Sequence, residues 1–308
     1  MKNLINITTS SDNPTFIDAH SVTGIHVFPD KGEMGIFGEN GLLYAVEMKS
    51  WNIDANDLLQ KLADAGNPLL ALPLRHDGKE YPHFIAPHAV TFVTITPVTK
   101  DGTQGIIAGV RGIGWEENYE ATPAEVTTLL EAVRKAGKQL MELLPSEAHA
   151  RWSRPAALYI DPASVQEIRD DGGQVNVVFK ASGTLDVQIN DPEYKIQMTR
   201  AEEDSARLAL ATKIADANGT LTHIAGASRA IYVTPDVFSS IRFHTNEKSD
   251  NKYGMSLERA KTPTNPYPEA VRAYFNTAAA RESSFNEIVA ASQAAPQTAA
   301  KPAKPQQP

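Results

Sequence analysis

Two kinds of residue in this chain have types and spacings that could do chemistry: clustered histidines and glycines, and basic residues alternating with aromatic ones. His83 and His88 form one histidine pair and His20 and His26 another, but neither pair has a third ligand at a recognisable metal-binding spacing. The glycines of "GVRGIGW" (109–115) precede no Lys-Ser/Thr, so a phosphate-binding loop is not expected. The sequence also lacks cysteine and a serine elbow motif. It therefore predicts a protein that is not an enzyme and that uses no metal or cofactor.

Basic and aromatic residues alternate in "RFHTNEKSDNKYGMSLERAK" (242–261). On strands, such side chains can contact phosphates and stack on bases. Similar residues occur at two earlier places, just before predicted helices. The candidate nucleic-acid-binding residues are Lys49, Trp51, Arg111, Trp115, Arg242, Phe243, His244, Lys248, Lys252, Tyr253, Arg259 and Lys261. Taken singly, the charged residues are also typical of a solvated sheet face, and the tryptophans of a hydrophobic core.

The elements that must position these residues follow a phrase that occurs four times. Its copies are "TFIDAHSVTGI" (15–25), "HFIAPHAVTFV" (83–93), "ALYIDPASVQEI" (157–168) and "IYVTPDVFSSI" (231–241). An aromatic residue stands near the start of each copy, at Phe16, Phe84, Tyr159 and Tyr232, and a proline follows three residues later in all but the first. We interpret the phrase as a first strand whose aromatic residue packs in the core and whose proline ends the strand.

Alternating apolar residues and turn sequences after each phrase predict further strands, and a helical pattern closes each copy. Thr122 with Glu125 and Thr199 with Glu202 have capping-box spacing, and Gly219 follows the last helical residue. The second helix is predicted to extend to Leu144. The fourth is predicted within "YPEAVRAYFNTAAARESSFNEIVAAS" (267–292), where Val271, Tyr274, Phe275 and Ala278 would share a helical face. The fold class is therefore α+β, with four tandem strand-meander-plus-helix repeats, antiparallel sheets packed on helices, and three or four strands in each repeat.

The domain organisation follows from the repeats. A first pair is expected within 1–145 (repeats at about 15–67 and 83–144), and a second pair within 155–292 (repeats at about 157–219 and 230–292). The Pro/Ala/Gln-rich segment 293–308 is expected to be a disordered tail.

The composition is that of a soluble globular protein, with 42% hydrophobic and 21% charged residues. A net charge of -8 argues against a generic polyanion binder, but residues 229–308 carry 10 Lys/Arg against 7 Asp/Glu. Neither a signal peptide nor a membrane-spanning helix is expected from the hydrophobic pattern. The absence of cysteine suits a reducing compartment, so we expect a cytoplasmic protein, in the host cytoplasm if it is viral.

A strand meander closed by a helix, repeated in tandem, resembles the Whirly and Pur-alpha types of single-stranded nucleic-acid-binding protein. The lack of cysteine, the phrase around Phe84, Tyr159 and Tyr232, and the tail "KPAKPQQP" look like the Drc family of early transcription cofactors from lytic podophages. That resemblance implies cooperative, sequence-independent binding of single-stranded DNA at melted promoters, with self-association on the DNA and a phage RNA polymerase nearby.

The leading hypothesis is a single-stranded-DNA-binding protein that acts in phage transcription or replication. It would use Lys/Arg–phosphate contacts and aromatic stacking on sheet faces. One alternative is a protein-interaction or host-inhibitory scaffold that offers sheet edges and acidic surfaces to a partner. Another is an assembling clamp-like or structural protein, which the internal repeats also allow.

Overall fold

The computed structural model describes most of the chain. The described residues are 3–8, 14–51, 53–76, 79–113, 118–143, 149–150, 156–189, 198–246, 251–259 and 270–294. The chain forms two compact units, Met1–Gly219 and Thr220–Pro308. From residue 295 onwards, the tail that was predicted to be disordered lies outside the described residues.

Three runs of similar elements make up the first unit. The first run contains β1 (Leu4–Asn6), β2 (Phe16–Asp18), β3 (Val22–Phe28), β4 (Glu33–Gly38), β5 (Gly41–Glu47), α1 (Met48–Trp51) and α2 (Ala55–Asp64). The second contains β6 (Leu70–His76), β7 (Lys79–Ile85), β8 (Val90–Ile95), β9 (Gln104–Val110), β10 (Asn118–Ala121) and α3 (Pro123–Lys135). The third contains β11 (Met141–Leu143), β12 (His149–Ala150), β13 (Ala157–Ile160), β14 (Val165–Asp170), β15 (Val175–Phe179), β16 (Gly183–Gln188) and α4 (Arg200–Asn218).

Among its described residues, the second unit has the same order of elements, without counterparts of α1 and β12. It contains β17 (Thr222–His223), β18 (Ile231–Val233), β19 (Phe238–Thr245), β20 (Tyr253–Arg259), β21 (Val271–Phe275) and α5 (Ala278–Ala294). The mixed α+β class is thus confirmed. Where the sequence left three or four strands per repeat open, each run has a short antiparallel hairpin followed by a three-stranded meander.

A single turn of 3-10 helix separates hairpin from meander in every run, at Ala19–Ser21, Pro87–Ala89, Pro162–Ser164 and Pro235–Val237. The three prolines stand at the start of their turns, where the fixed φ of proline suits the conformation and its missing N–H is not needed. This agrees with the interpretation that proline ends the first strand of each phrase.

The hairpin of one run joins the sheet of the run before it. β7 pairs with β3 to give the strand order β5-β4-β3-β7-β6, and β13 pairs with β8 to give β10-β9-β8-β13-β11. The hairpin β1–β2 forms a two-stranded sheet of its own. In the third run, β12 pairs with β16 at one edge of the meander, which gives the strand order β12-β16-β15-β14.

Helices cover one face of these sheets. Leu58 and Leu62 of α2 join one hydrophobic core, and four residues of α3 (Val126, Leu129, Leu130 and Val133) join another. On the opposite side of β8, Phe92 packs on Phe179 with ring centroids 5.3 Å apart. Because both faces are covered, every residue of β8 is buried.

The predicted helix ends are partly right. Both capping boxes form, at Thr122 with Glu125 and at Thr199 with Glu202, and Gly219 takes the left-handed conformation after α4. The extension of the second helix to Leu144 was wrong, since α3 ends at Lys135 and the chain returns as strand β11.

The helix predicted from residue 267 was also wrong at its start. Residues Val271–Phe275 form strand β21, and α5 begins at Ala278. The strand buries Val271, Ala273 and Phe275 and exposes the residues between them, which is a period of two rather than the period of a helix.

Candidate nucleic-acid interface

The meander β19-β20-β21 of the second unit has one covered and one open face. Met255, Leu257, Val271, Ala273 and Phe275 are buried in a core that Ile288 of α5 joins. Alternate residues of the same strands point the other way. The open face therefore carries the side chains of Arg242, His244, Ser256, Glu258, Arg272 and Tyr274, with Gly254 among them.

An aromatic row crosses the open face. His244 is opposite Gly254 on β20, and Gly254 is opposite Tyr274 on β21. The imidazole lies over the glycine: a Cβ added to Gly254 would come within 2.0 Å of Nε2 of His244. The imidazole and phenol rings meet edge to face, with centroids 5.8 Å apart. Since Tyr274 is 36% exposed, the row offers an aromatic surface to solvent.

An arginine row lies beside it. Arg242 is opposite Ser256, and Ser256 is opposite Arg272, so a small residue separates two guanidinium groups. The side chain of Arg242 is 72% exposed, with Nε 3.2 Å from a carboxylate oxygen of Glu258. Because this ion pair is exposed, we expect it to be weak and readily exchanged for a phosphate. Arg272 is exposed as well.

Two of the predicted stacking residues lie on the covered side instead. The ring of Phe243 packs edge to face on Phe285 of α5, with centroids 5.3 Å apart. The guanidinium of Arg281 lies 4.3 Å from the Phe243 centroid and 5.6 Å from that of Tyr253. These contacts assign Phe243 and Tyr253 to packing between sheet and helix, with a cation–π contribution from Arg281.

Other predicted residues are scattered. Lys252 is exposed just before β20, and the guanidinium of Arg259 lies 5.7 Å from the ring of Phe238. In the first unit, Lys49 is exposed on α1. Arg111 forms an ion pair with Glu39 and donates a 3.0 Å hydrogen bond to the carbonyl of His88, so its charge is already paired.

Four predicted residues give no site geometry. Three of them lie outside the described part of the chain: Trp115, Lys248 and Lys261. The backbone of Trp51 lies in α1, but its side chain is not among the described ones. The structure thus brings together Arg242 and His244 from the predicted set.

Arg272 and Tyr274 complete the open face, and sequence reasoning missed both. The signal was present in "VRAYF" (271–275), where apolar residues alternate with Arg and Tyr. A helical interpretation placed Tyr274 on the apolar side with Val271 and Phe275, whereas a strand separates it from them.

The histidine pairs regroup in the first unit. His26 on β3 is opposite His83 on β7, and their rings stack with centroids 3.9 Å apart. Among the described residues, no group of three or more His, Asp or Glu side chains could hold a metal ion.

A cavity of about 800 Å³ in the same unit is lined by Lys138, Asp161 and Asn218, among others. The ammonium of Lys138 is 2.6 Å from a carboxylate oxygen of Asp161, so these two charges neutralise each other, and Arg111, which also lines the cavity, is paired with Glu39. We therefore place the candidate site on the second unit.

The comparisons with known proteins add no family. No family model matches the chain, and no curated protein matches it. In the part of the chain that the structure describes, no helix is long and apolar enough to cross a membrane.

Proposed function

We propose that this protein binds single-stranded DNA, independently of sequence, on the open face of β19-β20-β21. The observation that carries the proposal is the pair of adjacent rows on that face: His244, Gly254 and Tyr274 in one, Arg242, Ser256 and Arg272 in the other. Bases would stack on the aromatic row, while the guanidinium groups contact phosphates of the same strand.

The charge distribution supports this choice of surface. Residues 229–308 carry more basic than acidic residues, in contrast to the chain as a whole with its net charge of -8. A polyanion responds to the local potential of the surface that it meets. The action in phage transcription or replication and the nearby polymerase remain expectations from the resemblance, as does the assignment of four homologous repeats.

Titration of the full chain with fluorescently labelled oligo-dT at several salt concentrations tests the proposal. We expect affinity to fall with salt. Arg272→Ala should reduce the slope of log K against log[salt] by about 0.7. Arg200→Ala, which removes an exposed arginine from α4 of the first unit, is the matched control and should leave the slope unchanged.

A second substitution tests stacking separately from charge. Tyr274→Ala should weaken binding by about 1–3 kcal/mol, while Tyr274→Phe, which keeps the ring, should bind almost as well as the native chain. If oligo-dT does not bind at low salt, or if both tyrosine variants bind like the native chain, the proposal fails.

A further inference from the structure

The first unit contains the same strand junction twice. In one copy Gly24, Ile25 and His26 of β3 pair with Ile85, Phe84 and His83 of β7. In the other, Phe92, Val93 and Thr94 of β8 pair with Ile160, Tyr159 and Leu158 of β13. The four copies of the repeated phrase align Ile25 with Val93 and Phe84 with Tyr159, so the two junctions have the same register.

Hydrogen bonds at the two junctions also coincide. The N–H of Ala86 donates to the carbonyl of Thr23, and the N–H of Asp161 donates to the carbonyl of Thr91, both at 2.8 Å. In each case the donor directly follows the incoming strand, and the acceptor is the second residue of the receiving strand.

The aromatic residue of each incoming strand packs on the core of the preceding run. Phe84 lies against the core that contains Ile25, and Tyr159 against the core that contains Val93. A junction therefore consists of main-chain pairing together with one aromatic side chain that covers a neighbouring core.

Each unit also contains one half of such a junction: β2 in the first unit corresponds to an incoming strand, and β19 in the second corresponds to a receiving strand. Among the described strands of the first unit, β2 pairs with β1 alone. The carbonyl of Thr15 accepts from the N–H of Ile7, and the N–H of Ala19 donates to the carbonyl of Asn3, at the two ends of β1. By alternation the main-chain groups of Phe16 and Asp18 point away from β1. Phe16 corresponds to Phe84 and Tyr159, and it is 52% exposed.

In the described part of the second unit, β19 is at the edge of a three-stranded sheet. The N–H of Asn246 donates to Lys252 beside β20, so the main-chain groups of Ile241 and Phe243 point away from β20. Ile25 and Val93, the counterparts of Ile241, are both fully buried, whereas Ile241 is half-buried and Phe243 is 44% exposed.

We propose that β2 of one chain pairs with β19 of a second copy of this chain, repeating the internal junction between molecules. The register carried over from the two junctions places Phe16 opposite Ile241, Ile17 opposite Ser240 and Thr15 opposite Arg242. Phe16 then covers the core beside Phe243, and β19-β20-β21 becomes a five-stranded sheet like the two in the first unit.

The two surfaces differ, so the contact is heterologous and joins copies head to tail. A second copy is the occupant because the chain itself supplies both complementary halves, with a strand register already realised twice. An exposed edge strand with apolar residues is also the kind of surface that associates with another strand. The new pairing uses the edge of the sheet and leaves the face with Arg272 and Tyr274 open, so it does not depend on the proposed DNA binding.

Cysteine cross-linking tests the register directly, because the native chain has no cysteine. Thr15 and Arg242 are the counterparts of His83 and His26, whose side chains stack across the junction, so cysteines at both positions should lie close enough for a disulfide. Thr15→Cys and Arg242→Cys chains are mixed without DNA and oxidised. We expect a disulfide-linked heterodimer as the main product.

A mixture that stays monomeric on oxidation would overturn the proposal, and so would one that yields each variant's own homodimer as readily as the heterodimer. Pairing of β2 with β19 inside one chain would also give no product in this mixture, and it counts against the proposal.

Mass photometry and sedimentation of the native chain over a range of concentrations give the second test. We expect species of two or more copies that grow with concentration, and Phe16→Lys should weaken their association at least about tenfold. Leu208→Lys makes the same kind of change at an exposed residue of α4 and should have no effect. A native chain that remains monomeric throughout, or equal behaviour of the two variants, would contradict the head-to-tail contact.

Discussion

The imidazole rings of His26 and His83 lie parallel within 5°, stacked across the junction between β3 and β7. Burial, reinforced by the charge that His83 would carry, lowers the pKa of His26 to about 3. Burial also lowers the pKa of His83 to about 4. The pair is therefore neutral in the folded protein across the physiological range, and the two uncharged rings stack across the junction.

This pair predicts a loss of stability in acid. In the unfolded chain both histidines protonate near pH 6.5, while the folded chain resists protonation until about pH 4. The unfolded state therefore binds more protons as the pH falls below 6.5. Each histidine then lowers the free energy of unfolding by up to about 1.4 kcal/mol per pH unit, and the loss levels off near the folded pKa values. Urea unfolding at pH 7.5, 6, 5 and 4.5 measures it.

The control for this prediction is His20, which is exposed. His20→Gln should keep the pH dependence of the native chain, and the double change His26→Phe with His83→Phe should reduce it to the part that His88 contributes, whose pKa burial also lowers. NMR titration of the folded native chain gives an independent result. Ring signals of both histidines that titrate near pH 6.5 would contradict the prediction.

Gly254 predicts a selective loss of binding. A methyl group there would collide with the ring of His244, which must leave the sheet surface, whereas the strand itself needs no change. Gly254→Ala should therefore weaken binding of oligo-dT by about 1–3 kcal/mol, the contribution of one stacked base. Gly173→Ala, at a turn where the nearest atom would be 3.9 Å away, should bind normally. Circular dichroism confirms that both variants remain folded.

Replacing Lys138 should reduce the stability of the fold much more than replacing Lys135, which lies only three residues earlier. Its ammonium pairs with Asp161, which is 1% exposed and also accepts a hydrogen bond from Ser164. Lys138→Ala leaves a buried carboxylate without its cation and should destabilise the fold by about 3–5 kcal/mol. Lys135 is 81% exposed and 3.8 Å from Glu131, so Lys135→Ala should cost less than about 1 kcal/mol. Equal losses in thermal unfolding would show that Asp161 does not depend on Lys138.

A side chain at Gly112 should destabilise the fold because it would lack space, in addition to the strain from the positive φ. Its φ is +79°, and an added Cβ would be 1.7 Å from the carbonyl oxygen of Gly38. Gly102 has nearly the same φ, +78°, with nothing within 4 Å. Gly102→Ala should cost about 1–2 kcal/mol from backbone strain. Gly112→Ala should exceed about 3 kcal/mol because the backbone near Gly38 must also move. Chemical denaturation of both variants gives the comparison.

Much of the architecture could be predicted from the sequence because local signals govern it. Capping residues such as Thr122 and Thr199 act within one turn of their helices, and the prolines of the repeated phrase fix their own φ. The pairing of each hairpin with the meander of the preceding run could not be predicted in this way. Nothing in the residues around Phe84 says whether that strand pairs with its own meander or with the preceding one, because main-chain pairing carries no sequence label.

The candidate site was predictable only in part, for a related reason. "RFHT" (242–245) indicated basic and aromatic residues, but which of them share a face depends on whether the segment is a strand and on where α5 packs. Phe243 therefore went to the covered side and His244 to the open side, although they are adjacent in the chain. Arg272 and Tyr274 lie in a segment whose period was taken for that of a helix.

In the first unit, the pairing of each hairpin with the preceding meander has a consequence for folding during synthesis on the ribosome. The meander that contains β3 is made early, but its sheet lacks two strands until residues 70–85 have emerged, and the meander of β8 waits in the same way for residues 141–160. The hairpin of each later segment thus completes the sheet of the meander before it. Truncation at the end of α2 or α3 removes the two strands that complete the sheet of the meander before that helix, so each of these sheets is completed only after the next segment has been translated.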